Sequence, residues 1–151
     1  MIDKTHVTTE ENVSIYSATN DIFIGLLKEI RELSKKKPDA VMSASKVSLV
    51  NRVLEDLKKI LDGEPEGKFL DLLDDENLPQ TSDAVLIMVQ FETALKAFKD
   101  RYYQKYDSGY SDWAWVTARF LEEYEEEYGD EEDYEDEEEF EDEEDHDQDG
   151  R

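Results

Sequence analysis

Thirty residues at one end of this chain cannot fold by themselves, and that leaves the building of a core to what precedes them. Residues 122–151 hold 21 Asp or Glu and one basic residue, a net charge of −20. Such a segment has too little apolar surface to offset the entropy lost on ordering. Residues 1–121 carry the other 21 acids and 16 bases, a net of −5. The chain therefore reads as a nearly balanced domain joined to a polyanion, and the first part is long enough for one modest core.

Ahead of the polyanion, apolar residues recur at helical spacing, and no stretch of five or more alternates clearly. Residues 1–16 are polar with scattered β-branched positions and are expected to form an arm or a short strand. Ser17, Thr19 or Asn20 is expected to cap a first helix with Phe23, Leu26, Leu27, Ile30 and Leu33 on one face. Lys35, Lys36 and Lys37 sit where the helix dipole favours cations, and Pro38 ends the run. Ser43 or Ser45 opens a second helix with a stripe from Val47 to Leu61, stopped by Asp62-Gly63-Glu64-Pro65. Phe69 to Glu76 predicts one or two helical turns ending near Pro79. Ser82 caps a third helix, apolar nearly all round at its start, the pattern of a central buried helix. Asp107-Ser108-Gly109 is a turn signal. Ser111 is then expected to cap a fourth helix bearing Trp113, Val116, Phe120, Tyr124 and Tyr128, with Gly129 as its C-cap. The expected fold is all-α, a small bundle of about four helices with a disordered acidic C-terminal tail. Its parts are an arm (1–16), a helical domain (17–128) and a tail (129–151).

Catalysis finds little support in the residue types. There is no cysteine, which removes thiol nucleophiles and disulfides and fits a reducing compartment. His6 falls in the arm and His146 in the tail, neither with an evident fixed partner for general-base work. No glycine-rich phosphate loop is present. Asp145-His146-Asp147-Gln148-Asp149-Gly150 matches the opening of a calcium loop but lacks the Glu that closes one. In a stretch this rich in Asp the match carries no weight. The expectation is a non-enzymatic protein with no metal site and no cofactor. The N-terminus lacks a signal-peptide pattern, and the longest apolar run, Ala84 to Val89, is far short of a membrane span. The chain is expected to be soluble and cytoplasmic, without membrane contact.

Charge and aromatic residues then suggest surfaces. Lys28 to Lys59 holds nine bases against five acids. Lys35, Lys36, Lys37, Lys46, Arg52, Lys58 and Lys59 make a candidate basic patch for an acidic partner or for the chain's own tail. Tyr102, Tyr103, Tyr106, Tyr110, Trp113 and Trp115 crowd the third turn. On a helix, neighbours point about 100° apart. Tyr102, Tyr106 and Trp113 are therefore expected to close the core, leaving Tyr103, Tyr110 and Trp115 as candidate interface aromatics.

The acidic run itself is the main candidate site. A fully helical run of thirty residues carries roughly one charge per 2.3 Å, close to the one per ~1.7 Å of duplex DNA. Glu122, Glu123, Tyr124, Glu126, Tyr128, Asp133, Tyr134, Glu137, Phe140 and Asp142 are the residues expected to meet a partner. The sequence points to an acidic regulator or inhibitor that occupies the cationic groove of a basic, nucleic-acid-acting protein by mimicking DNA or RNA. Its negative charge excludes direct nucleic-acid binding through the tail. The competing reading is a helical protein-interaction subunit of a larger assembly, with a tail that is solubilising or autoinhibitory. The all-round apolar start of the third helix leaves room for a homo-oligomer.

Overall fold

A computed structural model describes residues 2–129. The described residues are mostly helical, with four α-helices and one small two-stranded sheet. They are α1 (Glu10–Lys36), α2 (Ala44–Leu61), α3 (Thr81–Tyr102), β1 (Tyr103–Asp107), β2 (Ser111–Trp115) and α4 (Ala118–Tyr128). A 3-10 turn, Pro65–Phe69, links α2 to α3. The expected bundle is therefore present, with an added hairpin. The expected disorder of the tail lies outside the described residues.

The core is built by α1, α2 and α3. Phe23, Leu27 and Ile30 of α1 meet Val47, Val50, Leu54, Leu57, Ile60 and Leu61 of α2. Across both lies α3, burying Ala84, Met88, Phe91, Ala94, Leu95 and Phe98. Ring pairs Tyr16–Phe98 and Phe23–Phe91 show that α1 and α3 run antiparallel. Val85, Ile87 and Val89 also pack against the core, so the fold itself covers the apolar start of α3 except for Leu86, which stays 65% exposed.

Helix α1 begins earlier than its apolar spacing predicts. Its cap is Thr9, whose side chain accepts a hydrogen bond from the Asn12 amide, and Glu10 and Glu11 complement the dipole in the first turn. Val13, Ile15 and Tyr16, expected in an arm or strand, are helical. Packing of Ile15 and Tyr16 against the core outweighs the weak helix preference of β-branched residues. The arm that remains is short and tied down. Ile2 is buried, and the Thr8 amide donates to the Val116 carbonyl at 3.0 Å.

The segment after α2 is not the helical turn expected from Phe69 onward. Leu70 is extended, and the non-helical run to Leu73 is held by the Asn51 side chain. Asn51 accepts from the Leu73 amide and donates to the Leu73 carbonyl, both at 2.9 Å, taking the place of a neighbouring strand. Gly67 is required here, because a Cβ would collide with the Leu61 carbonyl and the Asp62 Cα.

The main correction concerns residues 103–117. Ser111 caps nothing. Tyr103–Asp107 and Ser111–Trp115 pair antiparallel, with Tyr103 opposite Trp115 and Asp107 opposite Ser111. Gly109 turns the loop at φ 87°, a conformation L side chains rarely adopt. The strand preference of the aromatics and a hydrogen bond from the Val116 amide to the Tyr102 carbonyl (2.8 Å) close the hairpin root. Helix α4 starts only at Ala118, capped by Thr117, whose hydroxyl oxygen accepts from the Phe120 amide.

Candidate functional site

The hairpin changes which aromatics face outward. In a strand, residues two apart share a face, so Tyr103, Trp113 and Trp115 lie on one side and Tyr106 on the other. Trp115 is not a surface anchor: it packs against Tyr16 and Phe98, with centroids at 4.9 and 5.8 Å. Trp113 does not close the core: it is 56% exposed and stacks on Tyr103 at 5.6 Å. Lys99 covers the Tyr103 ring at 5.2 Å. Tyr110, at the hairpin turn, is exposed as expected. Tyr102 does join the core edge, against Phe98 at 4.9 Å.

Tyr106, on the other face, holds α4. Its ring meets Phe120 edge-on at 5.4 Å and Tyr124 at 6.1 Å. Phe120 stacks on Tyr124 at 5.9 Å, and Tyr124 meets Tyr128 at a tilt at 5.0 Å. These residues recur every four positions, so they form one inward spine on α4. Opposite the spine stand Glu122 and Glu126, with Glu123 and Glu127 on its flanks, all exposed. Glu123 accepts from Arg119 at 3.0 Å, and Glu125 from Lys4 at 3.2 Å. Both pairs are open to water and stabilise little.

Helix α4 is electrostatically adverse to itself. It has no basic residue in its last turn and buries no residue. Five glutamates between positions 122 and 127 crowd the end where the dipole is already negative. They give about one charge per 1.8 Å of axis, near the duplex value. The acidic run thus begins inside a capped, oriented helix. Asp133, Tyr134, Glu137, Phe140 and Asp142 lie outside the described residues, as does the calcium-like string.

The basic patch is not one surface. Lys46 and Lys58 are twelve residues apart on α2, about 18 Å. Lys58 donates to the Leu70 carbonyl at 3.0 Å, Lys59 pairs with Asp56 at 3.1 Å, and Arg52 lies exposed between the helix ends. Lys35 pairs with Glu32 at 3.1 Å. Lys36, Lys37 and Lys46 converge on a cleft of about 320 Å³ at the α1–α2 turn, and none of the three makes an ion pair among the described residues. The antiparallel turn brings them together.

Two polar clusters had no sequence signal. His6 does have a partner: its Nδ1 lies 2.7 Å from Asp3 Oδ2. Hydrogen bonds from the Thr5 hydroxyl first, then the His6 ring and the Thr5 amide, hold Asp3 down at about 2. These bonds close a local turn. At the hairpin root, Arg101 donates to Glu64 at 2.6 Å and to Glu66 at 3.0 Å, while the Tyr102 hydroxyl donates to Glu64 at 2.7 Å. Burial first, then the Glu64 hydrogen bond and charge, push the Tyr102 phenol up to about 12. The cluster fastens the 3-10 turn to the end of α3. Pairs 37 residues apart leave no local pattern to find.

Among the described residues, no group of three or more His, Asp or Glu is placed to hold a metal, and no helix is long and apolar enough to cross a membrane. In comparisons with known proteins, no family model, curated protein or solved structure matches this chain.

Proposed function

We propose that this chain is a non-enzymatic acidic regulator or inhibitor. It binds a basic, nucleic-acid-acting protein and occupies its cationic groove as a DNA- or RNA-like polyanion. The observation that carries this reading is α4. Its aromatic spine faces the hairpin, its glutamates face solvent at near-duplex charge spacing, and their placement costs the helix stability. A cationic partner would relieve that repulsion, and the helix would present the first part of the polyanion in a fixed orientation.

The test uses full-length protein and a variant with the Asp and Glu of residues 122–143 changed to Asn and Gln. Each is immobilised and exposed to nuclease-treated lysate. The expected result is a basic nucleic-acid-binding protein held only by the acidic form, released by high salt and displaced by added duplex DNA. Equal retention by the neutral form through the salt wash refutes mimicry.

One observation favours a second reading, a helical interaction subunit with a secondary tail. The hairpin extends from the bundle with Trp113 and Tyr110 exposed, and such rings commonly anchor interfaces. Under that reading the neutral form keeps its partner and Trp113→Ala loses it.

A further inference from the structure

The lysine cluster at the α1–α2 turn has no function in the proposal above. The cleft is floored by Leu33, Val41 and Met42 and rimmed by Lys36, Lys37 and Lys46. Val41 is 62% exposed, so the floor is open to water. Two helix N-termini add positive potential, α2, with no acid in its first turn, and α3, whose Thr81 lines the cleft, while the negative C-terminal end of α1 is offset by Lys36 and Lys37 themselves. The acids at this end are Asp39 in the turn, Asp83 of α3, Glu32, which pairs with Lys35, and Asp74, Asp75 and Glu76 ahead of Pro79, whose carbonyl accepts from the Met42 amide. The site therefore suits an acidic segment, and this chain carries one.

Chain length decides which part of that segment fits. Helix α1 spans 27 residues, about 40 Å. Its cap Thr9 adjoins Thr8, which bridges Thr117 at the start of α4, while the lysines stand at its other end. Helix α4 does not turn back toward them, because Phe120 and then Tyr124 lie against Tyr106 of the hairpin. Gly129 is thus about 40 Å or more from the cleft. Residues 130–140 span roughly 36–40 Å at full stretch. Tyr134 cannot arrive, and Phe140 reaches only at its limit. Residues 141–149, with seven acids, reach with slack.

We propose that residues 141–149 dock intramolecularly on the Lys36–Lys37–Lys46 cleft. Tethering supplies an effective concentration on the order of millimolar, whereas a second copy must overcome repulsion between chains of net charge −25. The regulatory consequence rests on the polyanion reading. A docked run is withheld from the basic partner, and the partner's apparent affinity falls by the docked fraction.

The chain has no cysteine, so Gln148→Cys gives one spin-label site in the full-length protein. At about 50 mM salt, the label is expected to broaden the amides of residues 33–37 and 40–46 within its own ¹⁵N-labelled chain. At about 0.5 M salt, and in Lys36→Gln/Lys37→Gln/Lys46→Gln, the broadening disappears. No broadening at low salt overturns the proposal, as does broadening unchanged by the triple substitution. A label on a separate ¹⁴N copy must have no effect; if it broadens the same amides, the occupant is a second copy and the proposal fails. Should the triple variant not fold, the salt titration of the parent chain decides. No partner protein is involved, so failure here leaves the polyanion reading standing, and failure of that reading leaves this contact testable.

Discussion

Tyr106 is the residue on which the acidic helix depends. An isolated helix as short as α4, 11 residues, is marginal in water even without adverse charge. Its attachments are the Thr117 cap, exposed ion pairs and the two rings that meet Tyr106. Two aromatic pairs contribute about 1–3 kcal/mol, and the cap about 1 kcal/mol. Tyr106→Ala removes both ring pairs and touches none of the buried core. At about 2 kcal/mol, the open population of α4 rises roughly thirtyfold. Hydrogen exchange should therefore show protection of the amides at 122–128 falling by that order, with the core amides of α2 and α3 unchanged. Tyr106→Phe keeps the rings and should keep the protection. The reasoning is refuted if Tyr106→Ala leaves those amides as protected as before, or if it lowers the stability of the whole bundle to the same extent.

Other outcomes follow from the same geometry. Phe98→Ala empties a fully buried site between Tyr16, Tyr102 and Trp115. It should cost about 3–5 kcal/mol, read as a lower urea midpoint at constant slope; a loss under 1 kcal/mol would mean that the rings close over the gap. Hydrogen bonds from Arg101 hold the Glu66 carboxyl below its usual range. Its stabilisation is thus present above the unfolded carboxylate pKa and lost as pH falls through the folded one. Arg101→Met should flatten acid denaturation in that window, and an unchanged profile would remove Glu66 from the account. Tyr102 has the opposite sign: its pKa is raised to about 12, so its contribution is present below the ordinary tyrosine value near 10 and fades between 10 and 12. Absorbance at 295 nm should show a last-titrating phenol that Tyr102→Phe abolishes. Glu126→Lys with Glu127→Lys should strengthen α4 by about 0.3–1 kcal/mol each while weakening capture of the basic partner; weaker exchange protection would contradict the dipole argument.

Much of the bundle was legible because its signals are local. Ser43 caps α2 and Asp62 ends it where propensity and turn chemistry place them. The i, i+4 run of Phe120, Tyr124 and Tyr128 carries α4 into the acidic region, with Gly129 at its end. The hairpin had a signal that was outweighed. Trp113-Ala114-Trp115 alternates and follows an Asp-Ser-Gly turn, yet Ser111 also resembles a cap, and the aromatics suit either period. The start of α1 was missed because Val13 and Ile15 favour strand by propensity, and only their neighbours make a helix there.

The sequence by itself determined where folding can occur. Charge splits the chain into a nearly balanced part, residues 1–121, and a polyanion, and helical spacing commits the first part to a bundle. Tertiary structure decided which side chains are available. It turned Trp115 inward and Trp113 outward by making a strand of the segment that holds both. It gave α4 an inner face through Tyr106, and it reduced a seven-residue basic patch to three lysines at one end of the molecule. The packing of Trp115 on Tyr16, of α4 on Tyr106 and of the α1 lysines beside Lys46 depends on contacts between separate elements, which local spacing does not specify.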